Sequence, residues 1–101
     1  MEEVTVCYSN ATKAGIYIEF RLPIHVYSLE DMNAYDRFLK KNIDRQFGAL
    51  KKKYGLEFST DSSYIVTEDG ETYLLLCLCG EKNKDLDREL NQMGIPEMNP
   101  V

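Results

Sequence analysis

Tryptophan is missing from this sequence, histidine occurs once, and three cysteines make an odd count. No stretch approaches the ~18 apolar residues that would span a bilayer. Cys7, Cys77 and Cys79 are a poor disulfide framework, so thiols in a reducing compartment are the expectation, and the cytoplasm the localisation. The opening Met1-Glu2-Glu3-Val4 lacks the basic start and apolar stretch of a secretory signal. Gly-x-Gly-x-x-Gly, P-loop, His-Glu-x-x-His and Gly-x-Ser-x-Gly patterns are all absent, which removes the common cofactor and hydrolase signatures. Neither a cofactor nor a metal is expected. Basic charge is in deficit, with 12 Lys and Arg against 17 Asp and Glu for a net −5. That balance disfavours whole-surface affinity for nucleic acid or anionic membranes.

What is present suffices for one folded domain. A chain of 101 residues, 44% hydrophobic, hides enough surface to fold without staples or metals. Val4 to Tyr8 alternates as a short strand, and the small polar run Ser9 to Gly15 reads as a hairpin loop. Ile16, Ile18, Phe20, Leu22, Ile24 and Val26 are then apolar at every second position, the mark of a half-buried strand. Pro23 cannot donate to a ladder, so a bend splitting this strand into two segments is expected. Ser28 can cap a helix from Glu30 to Tyr54, along which Met32, Tyr35, Leu39, Ile43, Phe47, Leu50 and Tyr54 form one apolar stripe. Gly55 is a natural terminator.

Strand character resumes at Leu56 to Thr60, is interrupted at Asp61-Ser62-Ser63, and continues from Tyr64 to Thr67. Asp69-Gly70 is a strong hairpin signal before the strand Thr72 to Cys79. Leu74, Leu76 and Leu78 fill one face of that strand, and Tyr73, Leu75, Cys77 and Cys79 the other, which implies cover on both sides. A polar helix from Lys82 to Met93 carries Leu86, Leu90 and Met93 as its stripe. The expected architecture is an α+β two-layer sandwich in the order β-β-α-β-β-α, an antiparallel sheet with helices on one face. Residues 1–94 form the domain and 95–101 a loose tail.

No motif names a reaction. Cys77-x-Cys79 has the wrong spacing for Cys-x-x-Cys redox chemistry, and only Cys7 and His25 remain as further soft ligands, so filler in a core is the simpler reading. His25 falls in strand phase with Tyr17, Glu19, Arg21 and Tyr27, but same-face neighbours ~7 Å apart are too distant for direct hydrogen bonds. The stripe Arg37, Lys41, Arg45 and Lys52 opposite the long helix's apolar face is the only hint of nucleic-acid contact, and a solvated helix face explains it more cheaply. Surplus apolar and tyrosine-rich area on the second sheet face therefore carries the functional expectation. The sequence reads as a non-enzymatic protein-interaction module, in the class of adaptors, regulatory subunits and mobile-element inhibitors, working on a protein partner or as a homodimer. Tyr17, Arg21, His25, Tyr27, Tyr73 and Leu75 are its expected contact residues. A small anionic-ligand or nucleotide binder, with Arg21 and His25 at a dimer groove, is the alternative.

Overall fold

A computed structural model describes residues 4–12, 15–25, 29–59 and 64–98. Strands β1 (Thr5–Thr12) and β2 (Gly15–Pro23) are followed by the helix α1 (Leu29–Tyr54). Then come β3 (Glu57–Phe58), β4 (Tyr64–Glu68), β5 (Glu71–Gly80) and the helix α2 (Lys84–Gln92). The chain is an α+β protein, with one antiparallel five-stranded sheet and two helices among the described residues.

The sheet is centred on β2 and β5, with β1 outside β2. Because β2 occupies one edge of β5 from Tyr73 to Gly80, β3 and β4 both lie along the other edge. Glu57 pairs with Cys79 and Phe58 with Leu78, whereas Tyr64 pairs with Leu75 and Ile65 with Leu74. β3 and β4 thus share this edge of β5 in different registers, and residues 60–63 between them lie outside the described residues.

Directly paired residues face the same side of a sheet, so register assigns the faces. Ile18 and Phe20 of β2 pair with Leu78 and Leu76 of β5, and Tyr8 of β1 completes the row at Ile18. These side chains join Leu39, Ile43 and Phe47 of α1 and Leu86 and Leu90 of α2 in one buried cluster. The Phe20 and Phe47 rings meet edge to face at 5.1 Å, the geometry that aromatic quadrupoles favour.

Local signals account for the element ends. α1 ends at Gly55 (φ +64), with Leu56 N–H donating to the Lys51 carbonyl at 2.9 Å, the six-to-one bond of a Schellman motif. Asp69 (φ +53) and Gly70 (φ +79) supply the paired positive φ values that a two-residue type I′ hairpin requires. Asn83 caps α2 by accepting from the Asp85 and Leu86 N–H groups at 2.8 and 3.3 Å, which sets the helix start two residues later than Lys82.

Several expectations need correction. β1 runs on to Thr12 through a one-residue register shift between Ser9 and Thr12, so the first hairpin loop is shorter than Ser9 to Gly15. β2 stops at Pro23, and among the described residues no second segment follows through His25. Among the described residues pairing with β1 reaches only Arg21, so no donor is asked of Pro23 from that side there. Met93 is half exposed and adds little to the α2 stripe. The first residues of the expected loose tail are tied down, because Ile95 is buried, Tyr8 N–H donates to the Pro96 carbonyl at 3.1 Å and Met98 N–H donates to the Tyr8 carbonyl at 2.7 Å. A short parallel bridge, Tyr8 to Glu97, therefore covers the outer edge of β1. Ser28, Val26 and Tyr27 lie outside the described residues.

Candidate functional site

The face of the sheet turned away from the core cluster is assembled by register. Cys7, Glu19 and Cys77 lie in one row across β1, β2 and β5, with Ser9, Tyr17 and Cys79 beside them. Further along, Thr5, Arg21 and Leu75 form the next row, and Pro23, Tyr73 and Val66 the one after. All three cysteines occur on this face, and all three are free thiols.

Arg21 organises its lower half. Its guanidinium donates to Glu68 at 2.7 Å, approaches Glu19 at 3.6 Å, and sits over the Tyr73 ring at 5.2 Å. Glu68 belongs to β4 and Arg21 to β2, so the arginine must cross β5 to reach its partner. Leu75, paired with Arg21 of β2 on one side and Tyr64 of β4 on the other, is only 3% exposed, though it is not part of the core cluster. Burial works against the Arg21 charge, but the bond to Glu68 and the field of Glu19 outweigh it and hold the guanidinium more firmly protonated than usual.

The upper half holds thiols in an unreactive state. Burial, then the Glu19 carboxylate and the neighbouring thiols, pushes Cys77 up to about 11. Burial and Glu19, whose carboxylate lies 3.7 Å from the Cys7 Sγ, raise Cys7 as well. Cys79 is raised by burial alone, and Tyr17 by burial and then Glu19. Because the thiolate is the nucleophile and the metal ligand, each shift disfavours covalent or redox use of these cysteines at neutral pH. Among the described residues no group of three His, Cys, Asp or Glu side chains is placed to hold a metal ion. No helix among them is long and apolar enough to cross a membrane.

The expected contact residues are thus partly gathered. Tyr17, Arg21 and Tyr73 share the uncovered face, half-buried. Leu75 shares it but is only 3% exposed, which corrects the expectation of an exposed leucine. His25 is exposed and lies past the end of β2, where its backbone N–H faces the Tyr35 hydroxyl at 3.4 Å, so the row Tyr17, Glu19 and Arg21 does not run on to it as strand. Tyr27 lies outside the described residues. Cys7, Glu19 and Glu68 are not among the contact residues expected from sequence. The Glu19-x-Arg21 spacing on one strand face was the available sign, whereas Cys7 and Glu68 come from other strands and needed the register.

No family model, curated protein or solved structure matches this chain.

Proposed function

We propose that this protein is a non-enzymatic protein-interaction module, a two-layer sandwich that contacts its partner through the sheet face opposite the helices, in a reducing compartment. The observation supporting it is the half-exposed set Tyr17, Arg21 and Tyr73, with exposed Cys79, held on one rigid sheet surface. Tyrosines provide large, stiff contact area with a polar tip, and arginine adds directional donors; both are enriched where proteins meet. The raised thiol pKa values favour contact over catalysis.

Magnitude limits the kind of contact. Six residues separate the Tyr17 and Tyr73 rows, roughly 20 Å, and four strands span roughly 14 Å, so the flat area is on the order of 300 Å². A stable interface uses ~800 Å² per partner, so the face alone supports a weak, reversible association that extends over the sheet edges. A second copy of the chain is the simplest partner. The anionic-ligand reading gains no support, because the Arg21 charge is already shared by Glu68 and Glu19.

Sedimentation equilibrium on the wild type and on Tyr17→Asp/Cys79→Asp tests the proposal. A reversible dimer in the wild type that the double variant loses, with an unchanged melting temperature, is the expected result. A wild type that stays monomeric at high concentration removes the homodimer, and unchanged association in the variant removes this face.

A further inference from the structure

The opposite side of the molecule carries a second surface. α1 holds seven basic and four acidic side chains, whereas the rest of the chain holds five and thirteen. A helix of net +3 is thus mounted on a remainder of net −8. Three of the helix cations are matched within the fold: Lys40 with Asp36 at 3.0 Å, Lys51 with Asp44 at 3.5 Å, and Lys53 with Glu89 at 3.1 Å. Arg37, Lys41, Arg45 and Lys52 are exposed and form no ion pair among the described residues.

These four lie within an arc of roughly 80° at ~100° per residue, centred opposite Leu39 and Ile43, and extend over ~22 Å of helix. Arg37, Lys41 and Arg45 follow one another at four-residue steps, where like charges repel across a single turn. The helix dipole accounts for Lys51, Lys52 and Lys53 in the last turn but not for three cations in mid-helix. Ala34 and Gly48 fall within the same arc, and nothing lies within 4 Å of where a Gly48 side chain would begin. The helix surface is therefore open at Gly48, and Phe38, 37% exposed, flanks the row on one side as Asp44, paired with Lys51, does on the other.

We infer that the outward face of α1 binds the phosphate backbone of duplex nucleic acid without reading its sequence. Arg37, Lys41 and Arg45 rise ~6 Å per step and Lys52 follows ~10 Å on, a gently winding row that complements a line of phosphate anions. A folded protein partner would want an apolar centre, which this row lacks. A membrane would want a broad apolar face, and Phe38 alone does not provide one. Gly48 between Arg45 and Lys52, and Ala34 one turn before Arg37, permit close approach of the helix to a groove ~12 Å wide. The acidic remainder turns the other side of the molecule away from the duplex, so the net charge of −5 weakens binding while orienting it.

The full chain is titrated into a labelled duplex of about 20 base pairs, several times the ~22 Å row at ~3.4 Å per step, across a salt series. Four phosphate contacts predict a log–log salt slope of about −3.6, which is about a hundredfold loss of affinity between ~50 and ~200 mM salt. Arg37→Gln/Lys41→Gln/Arg45→Gln should flatten the slope to about −1 and weaken binding at every salt concentration. Lys82→Gln/Lys84→Gln, outside the row, should leave both unchanged. Circular dichroism checks that each variant is folded, and Arg37→Ala/Lys41→Ala/Arg45→Ala serves if the glutamine variant is not. Absence of duplex binding at low salt overturns the inference, as does a slope unaltered by the triple variant. So does tighter binding to a single strand, to polyglutamate or to phosphatidylserine vesicles than to the duplex.

Discussion

The two faces of β5 contain leucines in alternation, yet they are buried by different means. Leu74, Leu76 and Leu78 are fully enclosed by α1, α2 and the facing residues of β2, all apolar. Leu75 is almost as inaccessible but lies outside that cluster, on the face where the charged side chains of Arg21, Glu19 and Glu68 meet. Equal burial therefore does not mean equal energetics. The covered face gains from apolar area removed from water at ~25 cal/mol per Å², and its packing is enclosed on every side. The uncovered face depends on a polar strap that water can compete with.

The largest effect that tests this contrast comes from deleting side chains on either side. Phe20→Ala removes a ring that is 1% exposed and packed on Phe47, and should cost about 3–5 kcal/mol in denaturant unfolding. Leu75→Ala should cost only about 1–2 kcal/mol, below the usual range for a buried leucine, because side chains on a half-open face can settle into the space. Equal losses would mean that the two faces are packed alike and that the strap is as rigid as the helices.

Tyrosines on the two faces sharpen the comparison through pH. Tyr8, fully buried on the covered face, donates to the Asp87 carboxylate at 2.8 Å. Burial first, then that bond, pushes its phenol up to about 12. Between the unfolded value near 10 and this one, the folded state keeps a proton that the unfolded state has lost. Tyr8 thus contributes its full stabilisation below pH ~10 and loses it as pH rises toward 12, a fall of about 2–3 kcal/mol. Tyr8→Phe should be less stable by about 1 kcal/mol at pH 7 for want of the hydrogen bond, yet should lose less between those pH values than the wild type. Tyr17→Phe, on the half-open face, should alter the alkaline profile less. A Tyr8→Phe profile parallel to the wild type would show that the phenol ionises without penalty.

How much of this was legible depended on range. Alternation from Ile16 to Leu22 assigned the faces of β2, the apolar stripe of α1 named Leu39, Ile43 and Phe47, and Gly55 and Asp69-Gly70 marked their turns, because each signal is written within a few residues. Partner choice is not. Nothing in β2 alone says that it pairs with β5, more than fifty residues away, rather than with β3 or β4, and period-two patterning leaves the register open by even steps. The Cys7, Glu19, Cys77 row and the Arg21 strap exist only once that register is set. The surplus of apolar area was overread for the same reason: Leu75 looked uncovered, and its burial appears only once β2 and β4 are set on either side of it. Pro96 and Met98 looked like parts of a tail because Gly94 ends the helix, whereas their hydrogen-bond partner, Tyr8, lies at the other end of the sequence.

The smallest effect is the strap itself. The Arg21 and Glu68 side chains are 31% and 55% exposed, and ion pairs so placed are worth ~0–1 kcal/mol. A double-mutant cycle on Arg21→Ala and Glu68→Ala should give a coupling of roughly 0.5 kcal/mol that fades as salt is raised. Arg21→Ala alone should cost more than Glu68→Ala, because it also strips the cation from the Tyr73 ring and from Glu19. That asymmetry, rather than the coupling, separates an arginine with three partners from one with a single glutamate. Equal single losses would reduce the strap to an ordinary surface pair in which Tyr73 and Glu19 contribute nothing.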